Sequence, residues 1–223
     1  MQFRHEWKHE INAADRLVLL ARLNAVMKRD PHAVDGVYRI RSLYFDDLSD
    51  TALREKIDGV NRREKFRIRY YNGDSSYIVL EKKSKLNGLC AKESCRISAG
   101  EARRLLDGDP GWMVDAGRPL CAELYSKMKS RGLRPKTIVD YTREPFVFGP
   151  GNVRVTIDRD LRTGDFRTDF LDPETLTLPV GDAPMILEVK WDAFLPELIR
   201  DAVSLPGRRA AAFSKYEQCR IYG

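Results

Sequence analysis

Charged side chains recur at every second position in several segments of this 223-residue chain. Lys65, Arg67 and Arg69 alternate with Phe66, Ile68 and Tyr70. Glu81 and Lys83 lie opposite Ile78 and Leu80. Arg4, Glu6, Lys8 and Glu10 alternate with His5, Trp7 and His9. Arg154, Thr156 and Asp158 alternate with Val153, Val155 and Ile157, and Glu188 and Lys190 with Leu187, Val189 and Trp191. Rows of Arg and Lys bind phosphate oxygens, the guanidinium bidentately and the ammonium as a point charge. Carboxylates among them make poor phosphate ligands; their useful role is to hold a divalent cation that bridges phosphates. Many cations with few acids point to a polyphosphate-type ligand. Other chemistries lack their motifs: there is no GxxxxGK[ST] loop, GxGxxG or GxSxG. The three histidines and four cysteines make a poor zinc set, with no CxxC pair.

A period of two belongs to strands, whose successive side chains point to opposite faces. Strands are expected at Phe3 to Ile11, Val37 to Asp46, Arg63 to Tyr71, Tyr77 to Lys83, Ala91 to Ile97, Lys136 to Arg143, Asn152 to Arg159 and Met185 to Trp191. Asn72-Gly73 and Asn87-Gly88 read as hairpin turns. Asn12, with Asp15, caps a helix striped by Leu19, Leu20, Leu23, Val26 and Met27 and ended by Asp30-Pro31. A short helical piece spans Thr51 to Lys56. Ser98 and Glu101 form a capping-box pattern, and helices follow at Pro119 to Arg131 and Leu195 to Ser204. About eight strands joined mostly by hairpins argue an α+β fold: an antiparallel β-barrel with helices packed outside. A sheet with one wet face shows the same alternation. Five strands repeat it here, and in a barrel whose outside is covered by helices the charged face lines a channel. Trp7, Trp112 and Trp191 are expected in the core, and Glu101, Arg103 and Arg104 on a solvated helix face. The loop from Thr163 to Asp182 reads equally as a lid or a surface excursion.

The composition sets limits. At 43% hydrophobic and 32% charged the chain is globular, and one domain, 1–223, is expected. No apolar run reaches the roughly 20 residues of a membrane span, and no secretory leader is visible. The cysteines read as reduced thiols of a cytoplasmic protein. The formal net charge of +6 is uneven. Twelve of the 39 Lys and Arg and six of the 33 Asp and Glu fall between Arg54 and Arg96, which carries the whole excess. Alternation leaves Lys65, Arg67, Arg69 and Lys83 as the inward set. Nucleic-acid binding is disfavoured, because Phe66 and Tyr70 fall on the apolar face, where they cannot stack bases beside the cations.

Ordered segments complete the pattern: Arg4-His5-Glu6-Trp7-Lys8, Ser42-Leu43-Tyr44-Phe45-Asp46, Arg54-Glu55-Lys56-Ile57-Asp58-Gly59, Lys65-Phe66-Arg67-Ile68-Arg69-Tyr70, Leu80-Glu81-Lys82-Lys83, Tyr141-Thr142-Arg143-Glu144, Arg154-Val155-Thr156-Ile157-Asp158-Arg159, Leu187-Glu188-Val189-Lys190 and Phe213-Ser214-Lys215-Tyr216. In this order the chain resembles the VTC domain, the polyphosphate polymerase domain of the CYTH or triphosphate tunnel metalloenzyme superfamily. The resemblance implies an eight-stranded antiparallel tunnel with helices outside. It implies transfer of the γ-phosphate of ATP onto a polyphosphate chain, with a divalent cation, Mn2+ or Mg2+. It implies catalytic contacts at Lys8, Arg67, Arg69, Lys83, Arg154 and Lys215, and further phosphate contacts at Arg54, Lys92, Tyr141 and Arg143. Glu188 is the best metal ligand, with Glu6 and Asp158 behind it. Alternation favours Lys83 over Lys82, although register could slip by one. Triphosphatases and cyclases of the superfamily begin with ExExK. Here the first Glu is Arg4, which favours the polymerase-like branch. ATP and polyphosphate are the implied partners, and a membrane partner protein is left open, as is the oligomeric state. The same scaffold also admits a triphosphate or polyphosphate hydrolase, or a non-catalytic polyphosphate or nucleotide-binding module.

Overall fold

The computed structural model describes residues 4–87, 89–182 and 184–221. Phe3 of the expected first strand and Gly88 of the expected second turn lie outside them. In chain order the elements are β1 (His5–Ile11), α1 (Ala13–Val26), β2 (Lys28–Arg29), β3 (Tyr38–Asp46), α2 (Thr51–Ile57), β4 (Arg63–Tyr71), β5 (Asp74–Leu86), β6 (Leu89–Ile97), α3 (Ala99–Leu106), α4 (Pro119–Arg131), β7 (Arg134–Phe148), β8 (Val153–Thr163), β9 (Leu178–Pro179), β10 (Met185–Trp191), α5 (Glu197–Val203) and α6 (Lys215–Ile221). Helix starts follow local chemistry. Asn12 with Asp15, and Ser98 with Glu101, form reciprocal capping boxes on α1 and α3. Pro119 opens α4, and Gly132, at φ 68°, closes it in the left-handed region that suits glycine. α1 ends at Val26, before the expected Asp30-Pro31 stop, because Lys28 and Arg29 pair with Val147 and Phe146 of β7.

The eight long strands form one antiparallel sheet in the order β1-β10-β8-β7-β3-β4-β5-β6; β2 adds to β7 and β9 to β8. The sheet curls into a half-barrel. At its edges a bridge joins Arg4, just before β1, to Cys90 of β6. Further along β1, Ala210 bridges His9, and the Ala211 amide donates to the Lys8 carbonyl at 2.8 Å. The barrel seam is thus completed partly by the segment before α6.

The apolar faces point outward, under helices. α3 and α4 cover Phe45, Phe66, Ile68, Ile78 and Leu80. α1 and α5 cover Phe146, Val155, Ile157, Leu187 and Val189. Burial of such side chains stabilises the sheet by about 1.5–3 kcal/mol each. α6 instead lies on the concave side, where Tyr216 and Cys219 pack with Tyr44, Val139 and Tyr141. Trp191 and Trp112 join the outer cores. Trp7, expected there too, is 37% exposed, since its strand is a sheet edge; it meets Trp191 edge-on at 4.6 Å. Glu101, expected to be solvated, pairs with Arg118. The first part of the segment 164–182 is packed on the outer wall, where buried Phe170 contacts Tyr70 and its carbonyl accepts from the Tyr70 hydroxyl at 3.1 Å, whereas β9 joins the sheet and Val180 packs with Tyr44 and Tyr216. Gly164 permits this path: a Cβ there would lie 2.8 Å from Ile138 Cβ. Among the described residues no helix is long and apolar enough to cross a membrane. All four cysteines are free thiols, with Cys95 and Cys121 sulfurs 3.6 Å apart.

Candidate functional site

Register decides which charges meet. Tyr44 of β3, Arg67 of β4 and Glu81 of β5 are direct cross-strand partners. Arg67 donates Nε to Glu81 at 2.7 Å and NH1 to the Tyr44 hydroxyl at 2.7 Å. Arg69 donates to Ser42 Oγ at 3.0 Å and to the Tyr141 hydroxyl at 2.9 Å. Lys92 of β6 reaches the other Glu81 oxygen at 3.0 Å. Burial alone would push the Glu81 carboxyl up; Arg67, Arg69 and Lys92 outweigh it and hold the group well below the usual carboxylate range. Glu81 therefore fixes two guanidinium groups in place within the interior.

The opposite wall is built from β1, β10 and β8, where Lys8, Glu188 and Thr156 are partners in one row, and Glu6, Lys190 and Arg154 in the next. Lys190 contacts Glu188 at 2.5 Å and Glu6 at 3.2 Å, and Lys8 contacts Glu6 at 2.7 Å. Burial raises the Glu188 carboxyl, but Lys190, Lys8, Arg143 and Lys83 together hold it well below its ordinary range. Glu6 is lowered too: Lys8 and Lys190 overcome burial and the repulsion of Glu188. Asp158 differs. Arg143 grips both of its oxygens, at 2.6 and 2.7 Å, and Lys215 from α6 adds a contact at 2.5 Å. Burial opposes, yet these cations bring its carboxyl down to about 2. Tyr141 lies beneath Lys215, whose ammonium is 4.7 Å from the ring centre. Burial raises the phenol, while Arg143, Arg69 and Lys215 lower it on balance.

Lys83 faces this wall from β5. Its charge acts on Lys190, Glu188 and Glu6, yet it remains exposed, so the space between the walls is wet. The repulsion of Lys190, then the partial loss of bulk water within the enclosed lumen, then Arg67 depress its ammonium well below the ordinary lysine range. Lys82 points the other way, to Glu123 at 2.5 Å. Arg154 reaches Asp30 at 3.1 Å at the rim. Thus Lys8, Arg67, Arg69, Lys83, Lys92, Tyr141, Arg143, Arg154, Lys215, Glu6, Asp158 and Glu188 share one interior. Arg54 does not join them: it is exposed on α2 and makes no ion pair among the described residues.

Further side chains of the interior include Lys190, Glu81 and Tyr44. Lys190 and Glu81 were visible two residues from Glu188 and Lys83, on the same strand faces. Tyr44 carries no charge, so only the register with Arg67 reveals it. A separate cavity of about 680 Å3 opens on the outer wall beside Arg103, Phe166 and Asp169. It is lined by none of these groups.

The donor set suits a divalent cation shared with phosphate. Among the described residues no group of three His, Cys, Asp or Glu side chains is arranged to hold a metal by itself. Magnesium-type sites characteristically use one or two carboxylates plus phosphate oxygens. Glu188 and Glu6, ionised and close enough to repel each other, meet that need. Asp158 is already saturated by Arg143 and Lys215 and fits the role of a buried counter-ion.

A structure of the PH1012 protein from Pyrococcus horikoshii OT3 matches with a TM-score of 0.52 at 11% identity, covering 96% of this chain and 98% of that one. A provisionally assigned adenylate cyclase from Bacillus halodurans matches with a TM-score of 0.50 at 13% identity, covering 85% and 80%. At such identities the likeness is one of fold. No curated protein matches in sequence. The family model described as the VTC domain matches residues 3–221. That span takes in both charged walls and α6, and the chain belongs to the VTC domain family.

Proposed function

We propose that the chain is a metal-dependent polyphosphate polymerase, transferring the γ-phosphate of ATP onto a polyphosphate chain inside the basic lumen. The observation that carries this reading is the division of the interior: one wall offers the carboxylates Glu188 and Glu6, and the other offers Lys83 with no ion-pair partner among the described residues. Phosphoryl transfer demands little covalent help from side chains; positioning and charge neutralisation dominate. Arg67 and Arg69, locked by Glu81, Tyr44 and Tyr141, present fixed donors. Lys8, Lys190 and Arg143 neutralise the charge that spreads over phosphoryl oxygens in the transition state. A divalent cation held by Glu188 and Glu6 would supply charge neutralisation across bridging phosphate oxygens. The acceptor is already an anion, so no general base is required. Arg4, standing where an ExExK motif has its first carboxylate, is tied to Asp192 at 2.6 Å. A cation at that place supports transfer rather than a two-metal hydrolysis.

ATP and polyphosphate are the proposed substrates, and the cytoplasm the proposed compartment. Incubation with ATP and Mn2+, followed by polyphosphate staining of a gel, tests the reading. Glu188→Gln is expected to lower turnover by about a hundredfold or more while retaining polyphosphate binding. Orthophosphate as sole product would assign the scaffold to hydrolysis, and binding without turnover would make it a sensor.

A further inference from the structure

Two thiols face each other in the outer wall. Cys95 of β6 and Cys121 of α4 have their sulfurs 3.6 Å apart. Cys95 is half-buried, whereas Cys121 is wholly buried. Alternation sends Cys95, with Ile97, to the apolar side of β6, under the helices. Cys121 is the third residue of α4, so the partial positive charge of the helix start lies beside the pair. Arg118, just before that helix, adds a full charge. Its Nη1 donates to the Arg96 carbonyl at 2.6 Å and to Glu101 at 3.2 Å, which fixes the guanidinium. Its Nε is buried and has no hydrogen-bond partner among the described residues. A cavity of about 420 Å3 opens beside it, lined by Arg96, Ile97, Ser98, Glu101 and Arg118. Small solutes can thus reach the chain next to Cys95. The two thiols also differ in acidity. The hydrogen bond with Cys121 brings the Cys95 thiol down; burial and Glu101 oppose this, and Arg118 reinforces it. The same bond, and then burial, push the Cys121 thiol up. An accessible thiol of lowered pKa next to a second cysteine is redox-reactive, whereas a cysteine in apolar packing alone is inert.

We propose that Cys95 and Cys121 are a reversible modification site, at which hydrogen peroxide converts the two thiols into a disulfide joining β6 to α4. The Cys95 thiolate attacks one peroxide oxygen. An S–O bond forms, the O–O bond breaks, and the departing hydroxide takes up the proton that Cys95 released, giving water. The Cys121 sulfur then attacks the Cys95 sulfur. The S–S bond forms, the S–O bond breaks, and the leaving hydroxide carries off the Cys121 proton as a second water. The sulfurs give up two electrons and the peroxide gains them. The pair has only to close from 3.6 Å to about 2 Å. A dithiol reverses the reaction by exchange.

Peroxide treatment of the reduced protein, freed of reductant and held in a metal chelator, tests the site. After denaturation and blocking with N-ethylmaleimide, peptide mass spectrometry without reduction is expected to find Cys95 linked to Cys121. Cys90 and Cys219 should still be alkylated. Cys90, also half-buried on β6, controls for access, and Cys95 should be consumed at least about tenfold faster. Dithiothreitol should restore both thiols. In Cys121→Ala, dimedone should instead trap a sulfenic acid on Cys95. Oxidation of Cys95 no faster than of Cys90 would overturn the proposal. So would sulfinic acid on wild-type Cys95 in place of the link. The wild-type protein carries the deciding readout, so the outcome does not depend on how well the variant folds.

Discussion

Asp158 shows how one side chain can be read two ways. The family resemblance makes it a candidate metal ligand, yet three cationic contacts consume its oxygens. Its task is to keep Arg143 and Lys215 compensated where water is scarce. Removing one member of a buried ion cluster leaves the others unpaired, at a cost of about 3–5 kcal/mol. Asp158→Asn should therefore lower the unfolding free energy by about that amount in urea titration. A variant as stable as wild type, with the same denaturant slope, would return Asp158 to the list of metal ligands. Glu188 is the contrasting case: Lys190 is its close contact at 2.5 Å and Arg143 stands off at 3.7 Å, so a bound cation and phosphate can displace them. Lys83 and Lys65 complete the residue picture: neither makes an ion pair among the described residues, and both project inward from the segment that carries the chain's excess charge.

At the scale of elements, α6 is the piece that converts a curled sheet into a site. It fills the concave side, delivers Lys215 to Asp158 and anchors itself through the Tyr216 hydroxyl, which donates to Asp46 at 2.6 Å. Asp46 in turn accepts the Ala52 and Leu53 amides at the start of α2. One buried carboxylate thus ties strand, helix and C-terminal helix together. Tyr216→Phe should cost about 1–3 kcal/mol, the usual range for a buried hydrogen bond to a charged group. Thermal unfolding of the two proteins in parallel would show it, and an unshifted midpoint would mean that α6 is held by packing alone. The outer helices act differently. Leu23 of α1 is wholly buried against β8 and β10 residues, so Leu23→Ala should cost about 2–5 kcal/mol. Because Leu23 faces away from the lumen, polyphosphate affinity should survive at temperatures where the variant stays folded; a lost affinity there would show that the outer core sets the lumen's shape.

For the whole molecule the interior carboxylates set a pH limit. Glu81 and Glu188 are held well below their ordinary values, and Asp158 at about 2. A carboxylate lowered by folding contributes stability that is present above its unfolded value, about 4, and is lost as pH falls through the folded one. Urea titrations at stepped pH should show stability falling steeply from about pH 4 toward about pH 2. A flat profile across that window would mean the interior charges are solvated and weakly coupled.

The amino-acid sequence by itself determined the strands, the two capping boxes, the polarity of each strand face and the excess of cations over acids on one of them. These are local properties: alternation is a consequence of backbone geometry, and a cap is decided within four residues. It also carried enough ordered motifs to indicate the family, although Trp7 and Arg54 show how little a motif says about burial. Which charges would neutralise one another was settled only by the tertiary structure. Glu81 meets Arg67 because β4 and β5 share a register, Asp158 meets Lys215 across 57 residues of chain, and Lys65, Lys83 and Lys92 fall in line across three strands. Coulomb energy depends on distance and solvent exposure, and only the curled sheet fixes both.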